Sequence, residues 1–317
     1  MINYSFIQKL LHEIFLGNKL IKTSIFELEK ILFLKKNNIK NNKHIFINSM
    51  PRSGTTALLN VFNKKIDLCS LKYKNMPFVM APNISNFFKS KKLIKSERYH
   101  KDNIFIDLES PESFDEIFFQ TYKKNIVFDE FENFISLVLS SSNKKRYLSK
   151  NNNNYIRINE LKKIFPNSAF IIPVREPLQH SFSLLTQHKN FIKLQTKENF
   201  VLKYMNYLGH YEFGLGHRSW FRSIDYMDKF NINYWMEQWY LYYSFISKNY
   251  SNNKSCLIFA YEKLKDSKLL DSLANFAEVE NIEQSDFKIS SKKINLDYDK
   301  NLYFKSKNLY NNFYNKT

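Results

Sequence analysis

A distinctive run of residues occupies positions 49–56, with the sequence Ser-Met-Pro-Arg-Ser-Gly-Thr-Thr. It stands between an apolar strand pattern at 44–48 and a helical pattern at 57–62. A glycine-containing turn that leads into a helix offers an anion unpaired backbone N–H groups and the positive end of the helix dipole. Arg52 adds a permanent positive charge, and Gly54 is one of only five glycines in the chain. The run therefore predicts a site for a phosphate or similar oxyanion.

Hydroxyl side chains flank Gly54 in this run. Ser53, Thr55 and Thr56 can donate hydrogen bonds to phosphate oxygens, although Ser53 or Thr55 could instead form an ordinary helix N-cap. A nucleoside triphosphate loop requires the pattern Gly-x-x-x-x-Gly-Lys-Ser/Thr. Ser49 stands in place of its first glycine and Thr55 in place of its lysine. The absent lysine disfavours an ATP-dependent kinase and favours another phosphorylated donor.

A second candidate anion site follows an apolar strand pattern at 169–174. Arg175 stands at the carboxyl end of this strand, where open parallel sheets bind their ligands. Pro177 suits the first turn of a helix whose N-terminus then faces the anion. Ser183 follows Arg175 by eight residues. The alternative for this segment alone is a surface arginine beside a strand end.

Residues 50–56 and 165–183 together resemble the two donor-binding segments of sulfotransferases that use 3′-phosphoadenosine 5′-phosphosulfate (PAPS), in particular the bacterial carbohydrate-type members. In that family the first segment binds the 5′-phosphosulfate, and an arginine and a later serine of the second bind the 3′-phosphate. The resemblance implies PAPS as the sulfonate donor and no metal. It implies donor-binding roles for Arg52, Ser53, Gly54, Thr55, Thr56, Arg175 and Ser183.

Two shorter segments extend the resemblance. Residues 147–151 look like the short strand whose lysine contacts the transferring sulfonate in several branches of the family, which implies a catalytic role for Lys150. The asparagine after this lysine departs from the Asp, Ser or Thr often found there. Residues 257–264 resemble the strand and turn before the last family helix. Ala57 stands where some branches place a tryptophan against the adenine, so the partner of the adenine stays open.

An acceptor hydroxyl needs a base within hydrogen-bond reach. Family members often place a glutamate downstream of the loop arginine or a histidine on a later strand, but residues 71–74 contain no carboxylate. We select Glu109, which follows an apolar strand pattern at 104–108, and interpret Glu112 as a cap of the next helix. The other candidates for the base are Asp107, His180, His188, His210 and Glu212.

The elements that must position these residues alternate along the chain. Apolar strand patterns at 44–48, 104–108, 169–174 and 256–260 are separated by helical periodicity. The helical patterns lie at about 128–142, 155–165, 177–190, 197–208, 234–249 and 268–279. Alternation of this kind predicts an α/β fold with a parallel β-sheet flanked by helices. The resemblance implies the P-loop nucleotide hydrolase-like sulfotransferase fold.

Three regions are expected along the chain. Residues 1–43 form an N-terminal helical extension of one or two amphipathic helices, ending in a polar linker. Residues 44–280 form the sulfotransferase domain. Residues 281–317, rich in Asn, Lys, Ser and Tyr with weak periodicity, form a C-terminal extension that we expect to pack loosely.

Composition limits the compartment. The chain has 317 residues, of which 44% are hydrophobic and 25% charged, the balance of a folded globular protein. Cys69 and Cys256 cannot form a disulfide framework and lack the spacing of a metal site. No apolar stretch is long enough for a membrane span, and no signal peptide is recognisable. We expect a cytoplasmic protein without a transmembrane segment.

The formal net charge of +18 has two interpretations. It could attract a polyanion, which keeps a non-enzymatic polyanion-binding protein among the alternatives. All but seven of the 48 cationic residues are lysine, however, which is typical of an AT-rich genome. We therefore expect no nucleic acid partner.

These observations predict a sulfotransferase that moves a sulfonate from PAPS to an acceptor hydroxyl. The resemblance to carbohydrate-type members implies a carbohydrate or glycolipid acceptor, and the segment 208–218 offers Tyr211 and Phe213 as platforms for a sugar. Arg52 and Lys150 would stabilise charge on the leaving phosphate and the equatorial oxygens. A P-loop kinase-like enzyme that uses ATP remains the first rival.

Overall fold

The computed structural model describes residues 4–35, 38–88, 95–97, 105–112, 114–122, 124–289 and 291–316. Its strands, in chain order, are β1 (Ile45–Ile47), β2 (Leu68–Cys69), β3 (Ser96–Glu97), β4 (Phe105–Ile106), β5 (Arg146–Lys150), β6 (Ala169–Val174) and β7 (Cys256–Ala260). The α-helices, in chain order, are α1 (Phe6–Gly17), α2 (Lys19–Phe33), α3 (Thr55–Asn63), α4 (Pro82–Ser85), α5 (Glu116–Thr121), α6 (Lys124–Ser142), α7 (Ile158–Ile164), α8 (Pro177–Lys197), α9 (Asn199–Leu208), α10 (Ile232–Tyr250), α11 (Ser267–Ala277) and α12 (Lys300–Lys316).

A five-stranded parallel sheet lies at the centre, in the order β2-β5-β1-β6-β7. Every residue of β1 and β6 is buried, because helices cover both faces of the sheet. Parallel strands in this position read as continuous apolar runs, and Ile45–Ile47 has that character. The predicted parallel sheet flanked by helices is confirmed. The carboxyl ends of β1, β5 and β6 lie side by side at one edge, where the site forms.

The edges of the sheet differ from the sequence prediction. The expected strand at 104–108 is represented by Phe105–Ile106, which pairs antiparallel with Ser96–Glu97 outside the main sheet. Phe105 is 56% exposed, so this segment cannot serve as a strand buried on both faces. Leu68–Cys69 forms the edge strand instead, and two residues are too short to give a periodic signal.

The N-terminal extension is packed against the rest of the molecule. Asn18 separates α1 from α2 and caps the second helix by accepting hydrogen bonds from the N–H groups of Leu20 and Ile21. Phe26 of α2 is buried against aromatic residues of α5 and α6. Glu29 is also buried, where its carboxylate accepts the backbone N–H groups at the start of α4. The N-terminal segment therefore contains two helices, and the second is fixed to the rest of the molecule by both apolar and polar contacts.

The C-terminal segment differs from the expectation of loose packing. Residues Lys300–Lys316 form α12, which contacts α8, α10 and β7. Its sequence is mostly polar, but Tyr310 and Phe313 are buried. None of the helices in the described ranges combines the length and apolar character that a membrane crossing requires.

Candidate active site

A cavity of about 710 Å³ opens at the carboxyl edge of the sheet. Its wall includes side chains from the ends of β5 and β6 and from the turn between β1 and α3. Six of the predicted site residues line it, namely Arg52, Gly54, Thr55, Thr56, Lys150 and Arg175. Ligands of open parallel sheets bind at this edge, so the cavity lies where the fold predicts it.

The turn before α3 has an unusual backbone. Gly54 adopts φ +95°, and a Cβ atom there would lie 2.0 Å from the ring of Tyr261. Arg52 also has a positive φ of 70°, which is uncommon for a residue with a side chain. Within the described residues no side chain caps α3, so the alternative of an N-cap by Ser53 or Thr55 is not observed. Gly54, Thr55 and Thr56, at the start of α3, line the cavity, and the N-terminal N–H groups of a helix have no partners within the helix.

Ser49 and Ser53 stabilise the turn on the side away from the cavity. The hydroxyl of Ser53 donates to the carbonyl oxygen of Met50 at 2.7 Å, and Ser53 is buried outside the cavity wall. The hydroxyl of Ser49 donates to the carbonyl oxygen of Pro173 in β6 at 2.6 Å. The side chains of both serines therefore shape the turn, while its backbone and threonines face the cavity.

The two candidate anion segments touch each other. The Nε of Arg52 donates to the hydroxyl oxygen of Ser183 at 3.2 Å. Arg175 in turn donates from Nη1 to the backbone carbonyl of Arg52 at 3.2 Å. Ser183 lies beside the cavity wall rather than on it. Two segments more than a hundred residues apart in sequence thus form one cationic site.

His180 supports this junction from inside the protein. Its Nε2 donates to the carbonyl oxygen of Pro51 at 2.8 Å. Burial lowers the pKa of His180 to about 3, and the nearby Arg175 and Arg52 contribute to the same shift. His180 is therefore a neutral hydrogen-bond donor to the turn, buried away from the cavity wall.

A layer of carboxylates and hydroxyls lies behind Arg175. The backbone N–H of Glu176 donates to the carboxylate of Glu262 at 3.0 Å. Tyr310 of α12 donates to the other oxygen of Glu262 at 2.7 Å, and Tyr303 donates to Glu176 at 3.0 Å. The C-terminal helix thereby fixes the backbone that carries Arg175.

Lys150 ends β5 inside the cavity, where it is only 8% exposed. Its ammonium lies 3.5 Å from the carboxylate of Glu112, which is also 8% exposed. Tyr73 donates a hydrogen bond to the second oxygen of Glu112 at 3.1 Å. Asn151 points away from the cavity, to Asp115 and Glu116. A buried cation and a buried carboxylate therefore face each other beside the anion site.

The structure does not bring Glu109 to the cavity. Its side chain is 62% exposed and pairs with Lys72 and Lys74, with nitrogen to oxygen distances of 2.9 and 3.1 Å. Partial burial would raise the pKa of Glu109, but the hydrogen bonds and charges of the two lysines outweigh it and lower the pKa. Among the other sequence candidates for the base, only His210 and Glu212 lie on the described cavity wall.

The segment 208–218 contributes to the cavity in part. Phe213 lines the wall, and Glu212 accepts a hydrogen bond from Asn152 at 2.9 Å. Tyr211 does not line the wall, and its ring is instead covered by the guanidinium of Arg218 at 3.8 Å from the centroid. One of the two predicted aromatic platforms therefore faces the cavity.

Comparisons with known proteins identify the family to which this chain belongs. A family model described as "Sulfotransferase family" matches residues 44–267. The chain belongs to the sulfotransferase family. Among solved structures, sulfotransferase STF1 from Mycobacterium tuberculosis H37Rv is similar, with a TM-score of 0.51 and 12% identity over 86% of this chain and 77% of that chain. Sulfotransferase STF9 from Mycobacterium avium has a TM-score of 0.48 and 11% identity, covering 90% of this chain and 76% of that chain. Curated proteins provide no match.

The likeness to STF1 concerns the fold, and it supports the P-loop-like arrangement of a parallel sheet flanked by helices. Sequence reasoning about this sulfotransferase missed the position of Glu112, which was interpreted as a helix cap. Glu109 and Glu112 lie in one short acidic segment, and backbone pairing of residues 108–112 with residues 71–74, which includes the antiparallel bridge between Lys72 and Pro111, orients the two carboxylates. In the described ranges of this sulfotransferase, no three His, Cys, Asp or Glu side chains are grouped to hold a metal ion.

Proposed function

We propose that this sulfotransferase transfers the sulfonate group of PAPS to the hydroxyl of a carbohydrate or glycolipid acceptor. The observation that carries the proposal is the contact between the two anion segments, in which Arg52 hydrogen-bonds Ser183 and Arg175 hydrogen-bonds the carbonyl of Arg52. A nucleotide with phosphates at both its 5′ and 3′ positions needs two cationic sites joined in one cavity. The resemblance to PAPS-dependent sulfotransferases and the family membership agree with this donor.

The residues present fit such a donor. The absent Cβ at Gly54 and the open N-terminus of α3 suit the 5′-phosphosulfate, with hydrogen bonds from Thr55 and Thr56. Arg175 and Ser183 suit the 3′-phosphate, because Arg175 lines the cavity and Ser183 lies against Arg52. Ser53 contributes its backbone N–H, since its hydroxyl is already bonded to Met50.

The reaction forms a bond between the acceptor oxygen and sulfur, and it breaks the bond between sulfur and the bridging oxygen of the 5′-phosphate. PAPS supplies an activated sulfonate whose leaving group is adenosine 3′,5′-bisphosphate. Arg52 and Lys150 stabilise the negative charge on the leaving phosphate and the sulfonate oxygens. In such in-line transfers, most of the rate acceleration comes from positioning of the reactants and from stabilisation of the developing charge.

We assign the role of base to Glu112 in place of Glu109. Glu112 lines the cavity beside Lys150, whereas Glu109 is exposed and paired with two lysines. The carboxylate of Glu112 accepts the proton of the acceptor hydroxyl as the new bond to sulfur forms. Tyr73 orients this carboxylate through its hydrogen bond.

We also propose a cytoplasmic location, because Cys69 and Cys256 are both free thiols.

Binding of adenosine 3′,5′-bisphosphate, measured by isothermal titration calorimetry, tests the donor. We expect a dissociation constant in the micromolar range for the wild type and a roughly 10- to 100-fold loss in Arg175→Ala or Arg52→Ala. Arg222→Ala is the matched control, since Arg222 is exposed and lies outside the cavity wall. Absence of binding, or equal binding by all three variants, would contradict the proposal.

Two further titrations separate the rivals. A kinase-like enzyme predicts that ATP with Mg²⁺ binds more tightly than the bisphosphate and is hydrolysed. A polyanion-binding protein predicts that heparin binds with a steep salt dependence, and that Arg175→Ala leaves this binding unchanged.

A further inference from the structure

The cavity continues beyond Lys150 and Glu112 into a lobe with an apolar wall. One face of α9 supplies most of this wall, through Phe200, Val201, Tyr204, Met205 and Leu208. The spacing of these positions places them on a single side of the helix. Lys203 and Asn206, on the opposite side of α9, are exposed. We call the space beside these five residues the α9 lobe.

Other elements close the α9 lobe with side chains of the same character. Phe191 of α8 and Phe213 of the following loop line it and stack with their rings 5.9 Å apart. Tyr4, just before α1, lines it from the N-terminal extension and contacts the rings of Phe200 and Tyr204. A ligand that covers this apolar wall with an apolar group gains binding free energy, because apolar surface is removed from water.

The α9 lobe is continuous with the proposed reaction centre, because Glu112, Lys150 and the five α9 wall residues line the same cavity. Burial raises the pKa of Tyr204 well above its ordinary value, and the nearby hydroxyls of Tyr4 and Tyr73 and the carboxylate of Glu112 add to this shift. Tyr73 itself donates to Glu112. These hydroxyls mark the boundary between the polar centre at Glu112 and Lys150 and the apolar wall of α9. Polarity therefore falls along one direction in the cavity.

We infer that the acceptor is an amphiphile, with a hydroxylated polar head at Glu112 and Lys150 and an apolar chain in the α9 lobe. This inference rests on the proposed function, because it takes the cavity to be the sulfonate transfer site. A free sugar needs hydrogen-bond partners around its ring. Of the five α9 wall residues, Tyr204 alone carries a hydroxyl, so this wall offers a sugar few such partners. An alkyl chain, in contrast, gains from every methylene that it buries there. The glycolipid is thus favoured over the free carbohydrate.

A chain-length series tests the inference. Hexyl, heptyl, octyl and nonyl β-D-glucosides, each below its micelle concentration, are titrated into the protein alone and with saturating adenosine 3′,5′-bisphosphate. We expect the dissociation constant to fall by up to roughly fourfold for each added methylene. Glucose should bind more weakly than any member of the series. A flat series, including one without any binding, overturns the inference.

Substitutions on α9 locate the chain. Val201→Trp fills the lobe and should weaken nonyl glucoside binding at least tenfold, while the dissociation constant of the bisphosphate stays within twofold of the wild type. Lys203→Trp adds the same side chain to the exposed side of α9 and should leave both values unchanged. Phe200→Ser provides a second test at a half-buried position that the fold depends on less. If both Val201→Trp and Phe200→Ser bind nonyl glucoside as tightly as the wild type does, the assignment of the chain to this lobe is wrong.

The two proposals fail separately in these experiments. Loss of bisphosphate binding with a preserved chain-length dependence removes PAPS as the donor and leaves the apolar site in place. A flat glucoside series with intact bisphosphate binding removes the amphiphile and leaves the donor proposal standing.

Discussion

Gly54 occupies a position where both the backbone and the neighbouring ring exclude a side chain. Its φ of +95° lies in the left-handed region, and a Cβ atom would approach the ring of Tyr261 to 2.0 Å. We expect Gly54→Ala to lower the free energy of unfolding by about 1–3 kcal/mol, because strain and overlap add. We also expect it to weaken bisphosphate binding, since the turn must move. Urea unfolding and calorimetric titration measure the two effects.

Gly216→Ala is the control for this substitution. Gly216 does not have a positive φ, and an added Cβ would lie 3.3 Å from the side-chain oxygen of Asn206, which is exposed and can move. Its unfolding free energy should stay within about 0.5 kcal/mol of the wild type. Equal losses in the two variants would show that Gly54 has no special role.

Glu112 and Glu109 give a direct comparison between two carboxylates three residues apart. Glu112→Gln should lower sulfonate transfer from labelled PAPS to octyl glucoside by roughly 100-fold or more, because the amide cannot accept the proton. Glu109→Gln should retain nearly full activity, since the Glu109 side chain is exposed and pairs with Lys72 and Lys74 outside the cavity wall. Binding of the bisphosphate should remain in both variants. Retained activity in Glu112→Gln would reject our assignment of the base.

At the scale of elements, α12 stabilises the strand-to-helix junction that carries Arg175. The hydroxyl of Tyr310 donates to Glu262, whose other oxygen accepts the N–H of Glu176. Tyr310→Phe leaves that carboxylate oxygen without its donor. We expect a loss of about 1–2 kcal/mol in the free energy of unfolding and a few-fold weaker affinity for the bisphosphate.

Tyr314→Phe is the matched control on the same helix. Tyr314 is 39% exposed, and its ring packs beside Tyr310 without contacting Glu262. Both properties should stay at wild-type values in this variant. If Tyr310→Phe binds the bisphosphate as tightly as Tyr314→Phe does, α12 has no part in positioning Arg175.

The elements that sequence reasoning anticipated share one property. β1 and β6 are apolar throughout because they are buried on both faces, and the turn after β1 carries a recognisable pattern around Gly54. The edge strand Leu68–Cys69 is too short for any periodicity. The polar helix α12 is held by hydrogen bonds from tyrosine hydroxyls to the half-buried carboxylates of Glu176 and Glu262, and hydrophobic periodicity does not register such bonds.

The candidate site was anticipated to a similar extent. Arg52 and Arg175 could be predicted because each follows an apolar strand in a recognisable segment. Glu112 could not be separated from Glu109, since the choice depends on the tertiary pairing of residues 108–112 with residues 71–74. The α9 lobe was also missed, because an apolar helix face reads as core whether it meets other side chains or a cavity.

At the scale of the whole molecule, buried histidines make stability depend on pH. Burial lowers the pKa of His180 to about 3 and those of His44, His188 and His217 to about 4. The unfolded chain therefore takes up protons below its ordinary histidine pKa while the folded protein does not, so stability falls as pH decreases from about 6.5 towards 4. Each group contributes about 1.4 kcal/mol per pH unit.

Asp115 acts in the opposite direction. Burial raises its pKa to about 6, so the folded state gains a proton before the unfolded state does and is favoured as pH falls. Near pH 5 this gain in stability offsets the loss caused by about one of the four histidines. Urea unfolding at pH 7, 6 and 5 should show a net loss of stability. His188→Gln should reduce the slope by about one proton, and stability that is constant down to pH 5 would contradict the argument.

The separation between the two ends of the cavity affects how this enzyme can evolve. The proposed donor end rests on β1, β6 and α3, which also form the centre of the fold, whereas most of the apolar wall belongs to one face of a ten-residue helix. Under the proposed function, substitutions along that face change the choice of acceptor and leave the residues proposed to bind the donor intact. Exchanging α9 for its counterpart from a related enzyme is therefore the smallest graft that should move acceptor choice between them.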